Sequence, residues 1–86
     1  MQIDHDAEEP PYRQLYRQLR AGIEDGTYPP GRAIPSVSRI QQETGMAIMT
    51  IRKAFRLLAD EGFVRITPSR GTYVISRGAA PGPSGT

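Results

Sequence analysis

A two-residue break, Gly45-Met46, constrains the fold of this chain more than any other sequence feature, because it separates two amphipathic helical segments. The glycine can adopt the left-handed conformation that ends a helix. The methionine that follows it is apolar, and we expect it to be buried. A turn this short sets two helices at a steep angle. The sequence therefore predicts a helix-turn-helix in this part of the chain.

Three helices are expected from apolar side chains that recur at spacings of three and four residues. The first is predicted over residues 12–25 and the third over residues 47–61. The second is predicted from Ser36, a favourable N-cap, to Thr44. On the third helix the apolar residues fall on one side and the basic residues on the other, which predicts a core face and an opposite basic face.

Two strand-like segments, residues 63–67 and 72–76, follow the helices. The Pro-Ser-Arg-Gly sequence between them predicts a hairpin turn with Arg70 at its tip. The predicted fold class is therefore α+β, mainly α: a winged helix-turn-helix, in which three helices are followed by a two-stranded β-hairpin, the wing.

The chain divides into three parts by composition. Residues 1–11 hold four of the nine acidic residues and are predicted to be a loose acidic leader. Residues 12–77 are the predicted folded domain. Residues 78–86 are rich in Gly and Pro and are predicted to be disordered. A length of 86 residues has room for one domain and excludes a large enzyme core.

Several classes of function have no support in the sequence. The absence of cysteine excludes disulfides, a thiolate nucleophile and the usual structural zinc sites. The one histidine, His5, lies in the leader, so no catalytic residue, metal site or cofactor is predicted. No apolar run is long enough to span a bilayer and no export signal is visible, which predicts a cytoplasmic protein without a membrane partner.

The charge of the chain is unevenly distributed. From Gly26 to Arg77 there are eight basic residues and three acidic ones, a net charge of +5. Ten of the eleven basic residues in the whole chain are arginines, whose planar guanidinium suits phosphate and guanine. Double-stranded DNA is therefore the first partner to expect, with Arg52 reading base edges in a major groove and Arg70 reaching the adjacent minor groove.

A series of motifs runs through the predicted domain in a fixed order: Tyr16-Arg17-Gln18-Leu19, Pro30-Gly31-Arg32, Ile34-Pro35-Ser36, Thr50-Ile51-Arg52-Lys53-Ala54-Phe55, Leu58-Ala59-Asp60-Glu61-Gly62 and Gly71-Thr72-Tyr73-Val74. The stretch from Tyr12 to Val74 resembles the DNA-binding domain of the GntR family of bacterial transcription regulators. The resemblance implies a domain that binds operator DNA as a dimer, and it favours a repressor. The family's effector domain, which senses a small molecule, has no counterpart in this sequence.

The basic face, the wing and the resemblance together predict these DNA-binding residues: Ser36, Arg39, Ile48, Met49, Thr50, Arg52, Lys53, Arg56, Arg70, Gly71 and Thr72. Thr50 either contacts phosphate or only satisfies a carbonyl of its own helix. No dimerisation helix is evident after the wing. We therefore expect a monomer or weak homodimer in solution that pairs on DNA.

The sequence departs from the family's pattern at two places. Ser38 stands where the family has an arginine, and Ala47-Ile48 replaces a Ser-Arg pair at the start of the third helix. Ile48 and Met49 either contact thymine methyl groups or are exposed without a role. These departures leave open the alternative of a winged helix that binds a protein partner. A further alternative is that the chain is the DNA-binding fragment of a longer, ligand-responsive regulator, with the Gly/Pro-rich residues 78–86 as the linker.

Overall fold

Three helices and a β-hairpin make up the fold of the computed structural model, which describes residues 1–76. The elements in chain order are α1 (Pro11–Glu24), α2 (Val37–Thr44), α3 (Ile48–Asp60), β1 (Val64–Thr67) and β2 (Gly71–Val74). The predicted fold class is confirmed, and the helix ends lie within one residue of their predicted positions. The predicted tail, residues 78–86, lies outside the described residues, as does Arg77.

Local signals account for the helix ends. Pro11 occupies the first turn of α1, where a missing backbone N–H costs nothing. The Ser36 Oγ accepts a hydrogen bond of 3.1 Å from the backbone N–H of Arg39 and caps α2. Gly45 ends that helix with φ +75°, and Met46 is only 2% exposed. The predicted turn between α2 and α3 is therefore present as a left-handed glycine followed by a buried methionine.

One apolar core connects all the elements. The buried face of α3 consists of Ile51, Ala54, Phe55 and Leu58. It packs with apolar residues from the other helices, the loop and the hairpin: Leu15, Tyr16, Leu19, Ile23, Ile34, Ile40, Met46, Phe63, Val64 and Val74. Since α3 contacts both α1 and α2, the core fixes the direction of its opposite, exposed face.

The wing is anchored to the body of the domain by a third extended segment. β1 and β2 pair antiparallel, with Val64 opposite Val74. The backbone N–H of Ile34 donates to the carbonyl of Thr72 at 2.9 Å, and Val74 donates to the carbonyl of Arg32 at 2.9 Å. The loop before α2 therefore lies along the outer edge of β2 and holds the hairpin in place.

The leader differs from the loose segment that its charge predicts. Gln14 is 5% exposed, and its side-chain amide accepts from the backbone N–H of Asp4 at 2.8 Å and donates to the carbonyls of Asp4 and Glu9, both at 2.7 Å. The His5 Nε2 donates to the Thr44 carbonyl at 2.8 Å. These contacts hold residues 1–10 against α1 and the end of α2.

Candidate nucleic-acid interface

The exposed face of α3 carries three basic side chains, those of Arg52, Lys53 and Arg56. They occupy this face because Ile51, Ala54, Phe55 and Leu58 take the buried one. The predicted division of this helix into a core face and a basic face is therefore present.

The turn of the wing adds a fourth cation. Ser69 has φ +65°, and the backbone N–H of Arg70 donates to the Thr67 carbonyl at 3.1 Å, which closes a tight turn. Arg70 is exposed at this turn, as its position at the hairpin tip predicts. We refer to Arg52, Lys53, Arg56 and Arg70 together as the open basic surface.

The open basic surface lacks carboxylate partners. Within residues 1–76, none of its four cations has a carboxylate oxygen within 4.0 Å. Arg17, Arg20 and Arg39 are different, because each forms an ion pair with a glutamate. The positive charge of the open basic surface is therefore available to an anionic partner.

A cleft of about 320 Å³ lies between α3 and the wing. Arg52, Arg56 and Arg70 all line it. Its apolar lining comes from Val37, Phe55, Ile66 and Pro68. A DNA strand offers phosphates and apolar sugar edges side by side, so this combination of guanidinium and apolar groups suits a sugar-phosphate backbone.

The predicted residues on α2 lie at its N-terminal turn. Ser36 uses its hydroxyl oxygen as the helix cap. Arg39 Nε donates to Glu43 Oε2 at 2.9 Å, and this guanidinium lowers the pKa of the Glu43 carboxyl below its ordinary 4.5. The charge of Arg39 is therefore compensated within its own helix.

The first turn of α3 presents an apolar pair. Ile48 is 40% exposed and Met49 is 73% exposed, while Thr50 is half-buried. Ala47 at the N-cap makes no side-chain hydrogen bond to the helix. Contact with thymine methyl groups and exposure without a role are the two alternatives for Ile48 and Met49. Both alternatives require exposed side chains, and both side chains are exposed.

Two of the predicted wing residues lie further inside than expected. Thr72 is 6% exposed, because its side chain points from β2 toward the core on the same face as Val74. Gly71 is half-buried at the start of that strand. The sequence places both beside the exposed tip, but the pleat of the hairpin turns Thr72 inward.

Sequence reasoning missed a polar clasp between α1 and the end of α3. The Tyr16 hydroxyl donates a short hydrogen bond to Glu61, and Arg20 Nη1 donates to the Tyr16 oxygen at 3.0 Å. Burial, and then the Glu61 carboxylate, raise the pKa of the Tyr16 phenol above 10.0. The hydroxyl therefore stays protonated near neutral pH and holds α3 against α1. Arg20 lies one helical turn after Tyr16, but no local pattern relates either residue to Glu61.

The described part of the chain contains no helix long and apolar enough to cross a bilayer. Residues 1–76 also contain no group of three or more His, Asp or Glu side chains placed to bind a metal ion.

Comparison with known proteins places this arrangement in a family. Residues 11–74 match the model of the bacterial regulatory proteins of the gntR family. The chain is 37% identical over 65 residues to the mannosyl-D-glycerate transport/metabolism system repressor MngR of Escherichia coli, covering 76% of this chain and 27% of MngR. It therefore spans about a quarter of that relative.

Solved structures share the fold. The GntR-family transcription factor YtrA from Sulfolobus acidocaldarius superposes with a TM-score of 0.79 at 32% identity, covering 88% of this chain and 65% of YtrA. The DNA-binding domain of AraR, solved in complex with operator ORX1, superposes with a TM-score of 0.76 at 28% identity, covering 85% and 92% of the two chains. Because the family model matches most of its length, this chain belongs to the GntR family of bacterial regulatory proteins.

Proposed function

We propose that this chain is the double-stranded DNA-binding part of a transcription regulator, with α3 in the major groove and the wing at the adjacent minor groove. One observation carries the proposal: the exposed face of α3 and the wing tip carry four cations without carboxylate partners in residues 1–76, and three of them, Arg52, Arg56 and Arg70, line one cleft. The similarity to the AraR domain in complex with operator DNA supports it.

The proposed roles follow from exposure and chemistry. Arg52 reads a base edge, since a guanidinium can donate twice to guanine. Lys53 and Arg56 contact phosphates, and Arg70 enters the minor groove. Ile48 stands where the family has the arginine of its Ser-Arg pair, and together with its neighbour Met49 it contacts thymine methyl groups.

The remaining predicted residues take smaller roles. A phosphate of the DNA lies beside Ser36, Arg39 and Thr50. At the wing, Gly71 lets the backbone approach the DNA. Thr72 is buried and supports the shape of the wing instead of contacting DNA directly.

The assembly and the biological role are proposals of the same kind. One domain of this size buries little DNA surface, so tight binding needs two copies on half-sites about 10 base pairs apart. The chain is 37% identical over 65 residues to the repressor MngR, so we propose that it acts as a cytoplasmic repressor. Because it spans only 27% of MngR, we propose that any ligand sensing lies outside it.

A second candidate function is a protein-binding module, and the exposed Ile48 and Met49 favour it. The two candidates differ in salt dependence, because phosphate contacts release counterions and an apolar contact does not. Binding to a protein partner through these two side chains would change little as salt rises.

Gel-shift titrations of a mixed-sequence duplex at two salt concentrations test the proposal. We expect affinity to fall steeply as salt rises, and Lys53→Ala to weaken binding to all duplexes alike and to reduce the salt slope by about one. Absence of binding at low salt would overturn the proposal in favour of a protein partner. Selection of bound sites from random DNA would then report the sequence and the half-site spacing together.

A further inference from the structure

The ring of Tyr12 contacts the only lysine of the chain. Tyr12 lies in the first turn of α1 and is half-buried, and Lys53 projects from the exposed face of α3. The Lys53 Nζ lies 4.1 Å from the centroid of the Tyr12 ring, within the range of a cation–π interaction. The contact joins two elements that are far apart in the sequence.

This contact fixes the position of the charge without neutralising it. An aromatic face attracts the ammonium but carries no net charge, so the positive charge of Lys53 remains. An ammonium has three N–H donors, and a ring on one side leaves other directions open. In the described part of the chain Lys53 has no carboxylate partner, in contrast to Arg17 and its Glu9.

A fixed lysine binds phosphate at a lower entropic cost than a free one. A long flexible side chain loses rotamer freedom when it is ordered at an interface. The Tyr12 ring has already restricted Lys53 before DNA arrives. Within residues 1–76, neither Arg52 nor Arg56 has such a ring contact.

We propose that Tyr12 is a positioning residue for DNA binding, which holds the Lys53 ammonium in place for a phosphate beside the recognition helix α3. This inference rests on the proposed function, and it assigns to α1 a part in DNA binding that the exposed face of α3 alone does not indicate.

The test is a double-mutant cycle measured by fluorescence anisotropy on a labelled mixed-sequence duplex of about 25 base pairs, long enough for two half-sites. We expect Tyr12→Leu to weaken binding about two- to fivefold and to leave the salt slope unchanged, because the charge remains. Tyr12→Phe keeps the ring and should bind within about twofold of the original chain. In the Lys53→Ala background, Tyr12→Leu should have no further effect.

Tyr28→Leu is the matched control, since Tyr28 is also half-buried but packs its ring on Gly22. Tyr12→Met replaces Tyr12→Leu if the leucine variant fails to fold, because methionine fills irregular gaps. Equal weakening by the Tyr12 change with and without Lys53, or tighter binding without the ring, would overturn the inference while leaving the proposed function intact. An original chain that binds no duplex would overturn both.

Discussion

Two sets of basic residues in this domain have opposite surroundings. Arg17, Arg20 and Arg39, on α1 and α2, lie 2.7, 3.1 and 2.9 Å from glutamate oxygens. The cations of the open basic surface have no such partner in the described residues. The two sets are similar in residue type and in exposure, so only their neighbours distinguish them.

The difference separates two uses of positive charge. A surface ion pair contributes little to stability, and its two charges cancel at a distance. An unpaired cluster raises the local potential and attracts polyanions. For the proposed DNA-binding surface the clustering of uncompensated charge is the guide, because Arg13, Arg32 and Arg65 also lack a carboxylate oxygen within 4.0 Å in residues 1–76 but do not line the cleft.

The largest expected effect on DNA binding comes from removing a cation of the open basic surface, and removing a paired cation from α1 is the comparison. Arg52→Ala should weaken specific DNA binding by roughly 1 to 3 kcal/mol and relax the preference at one base pair. Arg17→Ala, the matched change on α1, should alter affinity by less than about twofold, because its partner Glu9 already compensates the charge. Gel-shift titration of both variants checks this. Equal losses in the two variants would remove the distinction between paired and unpaired cations.

A smaller effect should follow from adding a cation to the open basic surface. Ala47→Ser with Ile48→Arg restores the Ser-Arg pair that the family has at the start of α3. We expect the new cap to stabilise the fold by about 1 kcal/mol, and the new charge to tighten DNA binding and move the preferred base pair there from A·T toward G·C. Thermal unfolding and site selection measure the two parts. An unchanged preferred site would mean that residue 48 does not face the groove.

The smallest effect should come from converting a paired cation into an unpaired one. Glu43→Gln removes the carboxylate beside Arg39, so we expect DNA binding to tighten about twofold, with a slightly steeper salt slope. Glu24→Gln on α1 is the control, and it should leave DNA binding unchanged. Anisotropy titrations at several salt concentrations distinguish the two variants. Weaker binding by Glu43→Gln would mean that the pair positions Arg39 for DNA.

The same pairs predict a direction for the pH dependence of stability. The Arg17 and Arg39 guanidinium groups lower the pKa values of Glu9 and Glu43 below their ordinary 4.5. A carboxyl group whose pKa is lower in the folded chain than in the unfolded chain stabilises the folded state at pH values above its unfolded-state pKa. This stabilisation is lost as the pH falls through its folded-state pKa. Thermal unfolding below about pH 4.5 should therefore show a loss of stability that is smaller in a Glu9→Gln, Glu43→Gln double variant. An identical acid profile would contradict this.

Much of the fold could be predicted because its signals are local. The Ser36 cap, the Gly45-Met46 turn and the apolar spacing of α3 act over a few residues, and each is present as predicted. The basic face of α3 follows directly from its apolar face. The first turn of that helix lacks a capping side chain at Ala47, as its sequence indicates.

The surroundings of the predicted DNA-binding residues could be predicted less completely than the fold. Thr72 is buried although it neighbours an exposed turn, and Arg39 is compensated by Glu43 one helical turn further along. The i, i+4 spacing of Arg39 and Glu43 could have indicated their pair from sequence. The contact between Tyr12 and Lys53 could not, because no periodicity relates residues on different helices.

The sequence by itself determined where the helices begin and end, where the turn lies and which face of α3 is basic, because these depend on backbone conformation and on the apolar pattern of single segments. Only the tertiary structure decided how the leader packs on Gln14, how far the wing turns Thr72 inward, and that Arg17 pairs with Glu9 of the leader. Those outcomes depend on the angles at which the segments pack together, and the core sets these angles through contacts between residues that are distant in the chain.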